Sequence, residues 1–233
     1  FKQKTAYEIM PSLVGSEMCI RDRPECVLLI YHRKETPISA RNAAVIDDNK
    51  IYLSAQSLLR DSFLLADKIL KSGFTPNFIV AVWRGGTPVG IAVQELLEYA
   101  GITTNHIAIR TSYYTGIDET QSDVRVHGLG YLVRELNYSD SLLIVDDVFD
   151  SGRSIDAIIS TLASRARRNM PSDVRVATPW YKPSKNKTNR IPDFYLHKTE
   201  AWLVFPHELQ GLSFEEVAAG KAGIADIVAP YRG

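Results

Sequence analysis

The chain has 233 residues, of which 45% are hydrophobic and 23% charged, and its 27 basic and 27 acidic side chains give a formal net charge of zero. This composition is typical of one well-packed globular domain, and the balanced charge argues against bulk binding of nucleic acid. Cys19 and Cys26 are too few for a disulfide framework and lack zinc-site spacing, which favours a reducing, cytoplasmic setting. No apolar run approaches the roughly 20 residues that span a bilayer, so we expect no membrane partner.

The N-terminal part of the chain differs from the rest. Residues 1–23 show neither a helical nor a strand period and lack the layout of a signal peptide. Their end, PSLVGSEMCIRDR, resembles the translation of a sequencing adapter, so we interpret residues 1–23 as non-native; the alternative is a native disordered tail. Residues 24–50 are interpreted as an N-terminal extension with a possible edge strand at 27–31, and the regular domain is expected over residues 51–233.

Helical and strand patterns alternate after this extension. Apolar residues recur at helical spacing between Leu58 and Leu70, and Gly73 is a plausible stop for that helix. The continuous apolar run at 78–82 predicts a strand buried on both faces. A second helix is then predicted, with Thr87 at its N-cap and Pro88 at its first position.

The remaining elements continue the alternation. A helix is predicted from about residue 154 to 168, a mobile polar loop over 112–123, and further short strands at 106–109, 142–145, 174–177 and 201–204. Strands that alternate with helices predict an α/β fold in which a central parallel sheet is flanked by helices. The loops that follow the strands of such a sheet meet at one edge, where ligands bind.

The most informative segment is LLIVDDVFDSGRSI, residues 142–155. Its strand leads directly into Asp146 and Asp147, whose carboxylates can accept hydrogen bonds from the two hydroxyls of a ribose. The turn that follows opens a helix, and its N–H groups, together with the positive end of the helix, suit a phosphate. The residues of this turn are Asp150, Ser151, Gly152, Arg153 and Ser154. One loop therefore matches both ends of a ribose 5-phosphate.

This segment closely resembles the diphosphosugar-binding signature of the type I phosphoribosyltransferases, and the chain is identified as similar to their purine members. Two alternatives are an acidic strand end that merely caps a helix and a phosphoacceptor site that binds magnesium. The Ser/Gly-rich helix entry disfavours the phosphoacceptor site. The resemblance covers residues 50–215 and implies the type I fold with a flexible lid loop and a small hood.

Two more loops resemble parts of this family. The Trp-Arg-Gly-Gly sequence after the strand at 78–82 resembles the pyrophosphate loop, which implies that Arg84 and Gly85 bind pyrophosphate and are joined by a cis peptide bond. Ser112 and Tyr113 resemble the start of the lid. The family's reaction passes through a cationic sugar that water would intercept, so a lid serves to exclude water. An ordinary surface hairpin is the alternative to a lid.

The C-terminal part resembles the enzymes for 6-oxopurines, especially the xanthine–guanine type. Lys182 follows a predicted strand, and the sequence WLVFPHE occupies residues 202–208. The resemblance implies that Lys182 donates to the purine O6, that Trp202 stacks on the base and that Leu203 reads the base edge through its backbone. It also implies that Glu208 helps to bind magnesium, although the family more often has aspartate there. A buried core tryptophan is the alternative for Trp202.

The implied reaction transfers the phosphoribosyl group of 5-phosphoribosyl diphosphate to hypoxanthine, guanine or xanthine in purine salvage. Asp146 and Asp147 would orient the ribose and, with Glu208, bind Mg²⁺, residues 150–154 would hold the 5-phosphate, and Asp150 would take the N7 proton. Family resemblance also implies a homodimer or homotetramer. Two other interpretations stay open: a regulator that binds the diphosphate without turnover, and a transferase for another nucleobase.

Overall fold

The computed structural model describes residues 45–47, 50–114 and 123–231. All of them belong to one compact unit, Ser39–Gly233. The predictions for residues 1–23 and for an edge strand at 27–31 lie outside the described residues. None of the helices in the described ranges has the length and apolar character that crossing a membrane requires.

The described residues form ten strands and six α-helices. The strands are β1 (Val45–Asp47), β2 (Lys50–Tyr52), β3 (Phe78–Trp83), β4 (Asn105–Tyr114), β5 (Asp123–His127), β6 (Ser141–Val145), β7 (Val148–Phe149), β8 (Asp173–Tyr181), β9 (Phe194–Lys198) and β10 (Trp202–Val204). The helices are α1 (Ala55–Lys71), α2 (Gly86–Tyr99), α3 (Gly130–Glu135), α4 (Arg153–Ala166), α5 (Phe214–Gly220) and α6 (Ala225–Val228).

Seven strands form the main sheet. Its order is β5-β4-β3-β6-β8-β9, with β7 continuing the line of β6 along β8. Every pairing is parallel except that of β4 with β5. This confirms the predicted parallel sheet. Strand β9 was not predicted, because its sequence, FYLHK, is short and half polar.

The predicted strand at 201–204 belongs to a separate sheet. Strand β10 pairs in parallel with β2, which pairs antiparallel with β1. This small sheet, together with α5, is the part of the fold that corresponds to the predicted hood. Leu203 and Phe205 bury their side chains in the same core as α1 and α2, so the hood is packed onto the main domain.

Two hydrophobic cores lie on opposite faces of the main sheet. Alternate residues of each central strand face opposite ways, as strand geometry requires. Ile79 of β3 packs in the core formed with α1 and α2, whereas its neighbour Val80 packs in the core formed with α3 and α4. Leu143 and Ile144 of β6 divide in the same way. The result is a three-layer arrangement that leaves the ends of the strands free to carry a site.

The N-cap of helix α2 lies two residues before the predicted N-cap at Thr87. A Cβ on Gly86 would lie 2.5 Å from the carbonyl oxygen of Val145, so only glycine permits this approach to β6. The helix therefore begins at Gly86, with Gly85 as its N-cap. Thr87 lies in the first turn, where its buried hydroxyl makes no hydrogen bond to any described residue. Pro88 is tolerated there because N–H groups of a first turn have no partner within the helix.

Gly90 controls how closely α2 packs on the sheet. A Cβ at this position would lie 2.7 Å from the Cβ of Ala81 in β3. We predict that Gly90→Ala lowers the free energy of unfolding by about 1 to 2 kcal/mol, because overpacking outweighs the gain in helix propensity. Urea denaturation provides the measurement. Gly130→Ala is the matched control, because a Cβ there meets only the end of the Arg134 side chain at 3.9 Å; an equal loss in both variants would contradict the prediction.

Candidate functional site

The acidic pair lies at a break between two strands. Strand β6 pairs with β8 up to Val145, and β7 resumes the same pairing at Val148 in an unchanged register. Asp146 and Asp147 occupy the gap, next to Pro179 of β8. Because proline has no N–H to donate, the ladder is interrupted there. The break places two carboxylates at the carboxyl end of the sheet.

The two carboxylates are held by neighbouring main-chain groups and are partly removed from water. The N–H of Asp147 donates to Oδ1 of Asp146 at 3.0 Å, and the N–H of Val148 donates to Oδ1 of Asp147 at 2.8 Å. Burial raises the pKa of Asp147 to about 6, and the charge of Glu208 also raises it. Burial, followed by the charge of Asp147, raises the pKa of Asp146 well above its usual value. The site thus concentrates negative charge that favours a cation or a proton.

Four loops meet around this pair in a cleft of about 320 Å³. Three of them follow β3, β6 with β7, and β8 of the main sheet, as the topology of a parallel sheet requires, and the fourth follows β10 of the small sheet. The predicted site residues that line the cleft are Arg84, Gly85, Asp146, Asp147, Asp150, Lys182, Trp202, Leu203 and Glu208. The cleft therefore brings together the residues assigned from sequence to ribose, pyrophosphate, base and metal.

Lys182 and Asp150 lie side by side in the cleft. The Lys182 ammonium is 3.6 Å from Oδ2 of Asp150 and 6.0 Å from the centre of the Trp202 ring. Lys182 is only 7% exposed, whereas Trp202 is 58% exposed. The N–H of Lys182 donates to the carbonyl of Phe149 at 2.9 Å, which fixes the start of this loop. A buried cation, a carboxylate and an open aromatic face thus share one wall.

A second cavity of about 180 Å³ lies beside the cleft, at the start of α4. Four of the residues assigned from sequence to the 5-phosphate line it: Asp150, Ser151, Gly152 and Ser154. Gly152 has φ +76°, and a Cβ there would lie 2.8 Å from the Phe149 ring, so the turn requires glycine.

Arg153, the remaining residue assigned to the phosphate, stands apart from the others. Arg153 is the first residue of α4, and its side chain is exposed and does not line the cavity. Its main-chain N–H points to the Ser151 hydroxyl at 3.4 Å. Its contribution to the turn is thus made by the main chain.

The pyrophosphate loop follows β3. A Cβ on Gly85 would lie 1.6 Å from Oδ2 of Asp147, so this glycine lets the loop lie directly against the acidic pair. Arg84 is exposed, and its Nη2 is 3.4 Å from Oε1 of Gln210. The cis peptide bond joins Trp83 and Arg84, which corrects the expected position at Arg84–Gly85 by one residue. Gly85 already has helical dihedral angles as the N-cap of α2, so the chain turns before it.

The predicted lid begins within a strand. Ser112 lies in β4, which pairs antiparallel with β5, and its hydroxyl is 3.0 Å from Nε2 of His127. Thr111, and not Ser112, lines the cleft. The Tyr113 side chain and residues 115–122 lie outside the described residues, so the lid stays a prediction.

The structure adds residues that sequence reasoning did not assign to the site. Trp83, Thr111, Phe205 and His207 also line the cleft. The His207 ring stacks on Phe205 with 5.8 Å between ring centres. Burial lowers the pKa of His207, and the charge of Glu208 opposes that shift. Trp83, the last residue of a buried strand, could have been found by its position before the Arg-Gly-Gly turn.

The comparisons with known proteins agree with this geometry. The sequence model of the phosphoribosyl transferase domain matches residues 48–211. The chain therefore belongs to this family of glycosyltransferases, and its predicted resemblance to the type I, purine-like members is confirmed. The comparison with curated proteins gave no match.

Solved structures support the same assignment. A purine phosphoribosyltransferase from Pyrococcus horikoshii Ot3 is 26% identical, covers 70% of this chain and 97% of its own, and has a TM-score of 0.55. A hypothetical protein from Neisseria gonorrhoeae with bound ppGpp is 23% identical (75% and 97% covered, TM-score 0.59). The Helicobacter pylori xanthine-guanine-hypoxanthine phosphoribosyltransferase is 18% identical (75% and 98% covered, TM-score 0.54). At these lower identities the last two show a shared fold.

The raised pKa of Asp147 has a consequence for stability. The Asp147 carboxyl has a higher pKa in the folded state than in the unfolded state. The folded protein therefore loses stability as the pH rises from the unfolded-state pKa to the folded-state pKa. We predict that Asp147→Asn raises the free energy of unfolding by about 1 to 3 kcal/mol at pH 7.5, since one pKa unit is worth about 1.4 kcal/mol. The gain should shrink below pH 6 and disappear near pH 4.

Urea denaturation at several pH values, in buffer with a metal chelator, measures this gain. Asp67→Asn is the control, because the half-exposed Asp67 side chain lies on α1, where it pairs with Lys71. A gain for Asp147→Asn that stays constant between pH 4 and pH 7.5 would contradict the assignment of the pKa.

Proposed function

We propose that the chain transfers the phosphoribosyl group of 5-phosphoribosyl diphosphate to a 6-oxopurine, giving a nucleoside monophosphate and pyrophosphate in purine salvage. The observation that carries this proposal is the 3.6 Å separation of Lys182 and Asp150. N7 and O6 are adjacent on one edge of guanine, so groups that serve both atoms must be neighbours. A cation at O6 and a carboxylate at N7–H fit this edge.

The identity of the donor at O6 favours oxopurines over adenine. Lys182 has three N–H donors and no acceptor. An exocyclic oxygen accepts from it, whereas the amino group of adenine would place a donor against a buried cation. Trp202 offers an open ring face beside Lys182, which suits stacking on a flat base. The main chain of Leu203 would read the far edge of the base.

The loops after β3 and β6 supply the proposed donor site. Asp146 and Asp147 would accept hydrogen bonds from the ribose hydroxyls, and residues 150–154 would hold the 5-phosphate at the start of α4. Arg84 and the Gly85 N–H would stabilise the departing pyrophosphate. Because Gly85 lies against Asp147, the ribose and pyrophosphate sites share a wall. This arrangement would orient C1′ towards the base.

Asp150 has the central role in the proposed reaction. As N9 of the base attacks C1′, the bond from C1′ to the diphosphate oxygen breaks, and pyrophosphate leaves with the bonding electrons. Asp150 would accept the proton from N7, while Lys182 would hold the charge that builds on O6. Arg84 would stabilise the leaving group. Most of the acceleration would therefore come from positioning and electrostatics.

The acidic groups of the cleft suit magnesium. Asp146, Asp147 and Glu208 offer the oxygen donors that Mg²⁺ prefers. Burial first, and then the charge of Glu208, raise the pKa of Asp147, and a bound cation would offset both effects. Within the described residues, no three acidic or histidine side chains form a metal cluster. Oxygens of the diphosphate and ribose would complete the coordination. Bound Mg²⁺ would neutralise the leaving group.

The remaining parts of the proposal follow from the family. Ser112 and Tyr113 would begin a lid that excludes water from the cationic sugar. The protein would act in the cytoplasm as a homodimer or homotetramer.

Turnover with defined bases tests the proposal directly. Labelled 5-phosphoribosyl diphosphate is incubated with Mg²⁺ and hypoxanthine, guanine, xanthine, adenine or uracil. We expect nucleotide product with at least one of the three oxopurines and at least tenfold less with adenine and uracil. Tight binding of the diphosphate without turnover of any base would instead support a regulator.

A substitution at Asp150 tests the role of this residue as the base. We predict that Asp150→Asn lowers kcat by about 10² to 10⁴-fold, the usual range for a general base. The KM values of both substrates should change by less than about threefold, because the amide preserves size. Steady-state kinetics measure both effects, with Asp67→Asn as the control. An unchanged kcat would remove Asp150 from the proton transfer.

A further inference from the structure

The C-terminal segment, residues 212–231, lies beyond the region that matches the family, residues 48–211. Near its start, the Ser213 hydroxyl and the Glu216 carboxylate form a capping box that begins α5. The same Glu216 carboxylate forms an ion pair with Lys50 of β2. This segment is therefore attached to the small sheet of the hood.

Close packing strengthens that attachment. A Cβ on Gly220 would lie 2.3 Å from carbons of the Tyr52 ring, so the end of α5 lies directly on β2. Val217, on the same helix, is only 3% exposed. Strand β2 pairs with β10, and this pairing places Lys50 opposite Trp202 and Ile51 opposite Leu203. Helix α5 thus rests on the strand that supports Trp202 and Leu203, the two residues of β10 that form the proposed base wall.

Lys221 extends from the end of this helix to the loop after β10. Its ammonium donates to the carbonyls of Phe205 and Pro206, the second at 3.1 Å. Its main chain is fixed, since its N–H donates to the carbonyl of Val217 at 2.8 Å. Burial lowers the pKa of Lys221, and Glu208 partly offsets this shift. The ammonium thus lies partly buried beside the turn that follows β10.

The loop that Lys221 contacts is a tight turn. The N–H of Glu208 donates to the Phe205 carbonyl at 3.0 Å, and the N–H of Phe205 points to Oε2 of Glu208 at 3.4 Å. Lys221 donates to the same Phe205 carbonyl, so one oxygen serves both the turn and the lysine. Hydrogen bonds from a charged donor are about twice as strong as neutral ones. The ammonium therefore stabilises the turn that carries Glu208.

We propose that Lys221 is a positioning residue, which holds the turn at 205–208, and with it the adjoining end of β10, in the geometry that binds the purine base. This inference rests on the proposed function. Lys221 would touch no substrate and would act only through the carbonyls of Phe205 and Pro206. Because small displacements of a substrate-binding loop have large effects on binding, losing these two hydrogen bonds would weaken base recognition.

The fold does not depend on this lysine alone. Three contacts of helix α5 do not involve the Lys221 side chain: its capping box, the ion pair of Lys50 with Glu216 and its packing on Tyr52. We therefore expect α5 to keep them when Lys221 is changed. A loss of base affinity with an intact fold is therefore the signature of a positioning role. A merely structural role would lower the melting temperature and affect both substrates alike.

The experiment compares Lys221→Met and Lys221→Arg with the wild-type chain. All assays use saturating Mg²⁺, because Lys221 stabilises the turn that carries Glu208, a proposed magnesium ligand. For Lys221→Met we then expect the KM of the best oxopurine to rise about tenfold, with kcat and the KM of the diphosphate within about threefold. Lys221→Arg, which keeps the charge and the donors, should recover a base KM within about threefold of the wild type. Lys71→Met is the control, because Lys71 is an exposed lysine on α1. Thermal unfolding of each variant reports whether the fold is intact.

The outcomes separate this inference from the proposed function. If the wild type turns over an oxopurine and Lys221→Met leaves the base KM unchanged, Lys221 has no positioning role. The positioning role would also be overturned if Lys221→Arg failed to recover the base KM. The same holds if the KM values of both substrates rose in parallel while the melting temperature fell. If the wild type neither turns over an oxopurine nor binds GMP in a tryptophan-fluorescence titration, the proposed function fails first, and the inference falls with it.

Discussion

The close contact between two glycines and an acidic pair is the constraint on which the site depends. Gly86 packs against the end of β6, and Gly85 lies against the carboxylate of Asp147. Any side chain at either position would push the loop after β3 away from the loop after β6. Without that contact, the proposed pyrophosphate and ribose sites would no longer share a wall. Helix α2 begins where it does because of the same approach.

The acidic pair shows how the site conflicts with stability. The break between β6 and β7 gives up ladder hydrogen bonds opposite Pro179, and it places two carboxylates where water is scarce. Their raised pKa values mean that the folded protein resists carrying these charges at neutral pH. An apolar side chain at either position would pack better but could bind neither a ribose nor a cation. The conflict therefore marks a place where function, and not folding, explains the residues.

Much of the fold could be predicted from the sequence. Continuous apolar runs such as 78–82 identified the buried central strands, and the order of strands and helices predicted the parallel sheet. Strand β9 was missed because FYLHK carries no clear period. The start of α2 was placed two residues late because capping preferences favour Thr87, whereas the start is set by a tertiary contact of Gly86 with β6.

The site could be predicted in part. The residues assigned to the cleft came from local motifs, and the parallel topology brings them together. Thr111 and His207 were not assigned, because which side of a strand or turn faces a cleft depends on packing between distant segments. Lys221 lies in a segment with no motif. Its contact with the Phe205 carbonyl depends on how α5 rests on β2, which no local pattern records.

The pairing of β2 with β10 joins the two ends of the domain. Lys50 stands opposite Trp202, although almost the whole domain separates them along the chain. The loops that form the donor site all lie before residue 155, and β10 comes much later. During synthesis, the diphosphate pocket can therefore form before β10, the strand that carries the base wall, has been made. Because pairings between distant segments form slowly, the acceptor side of the cleft is expected to be the last part to become ordered.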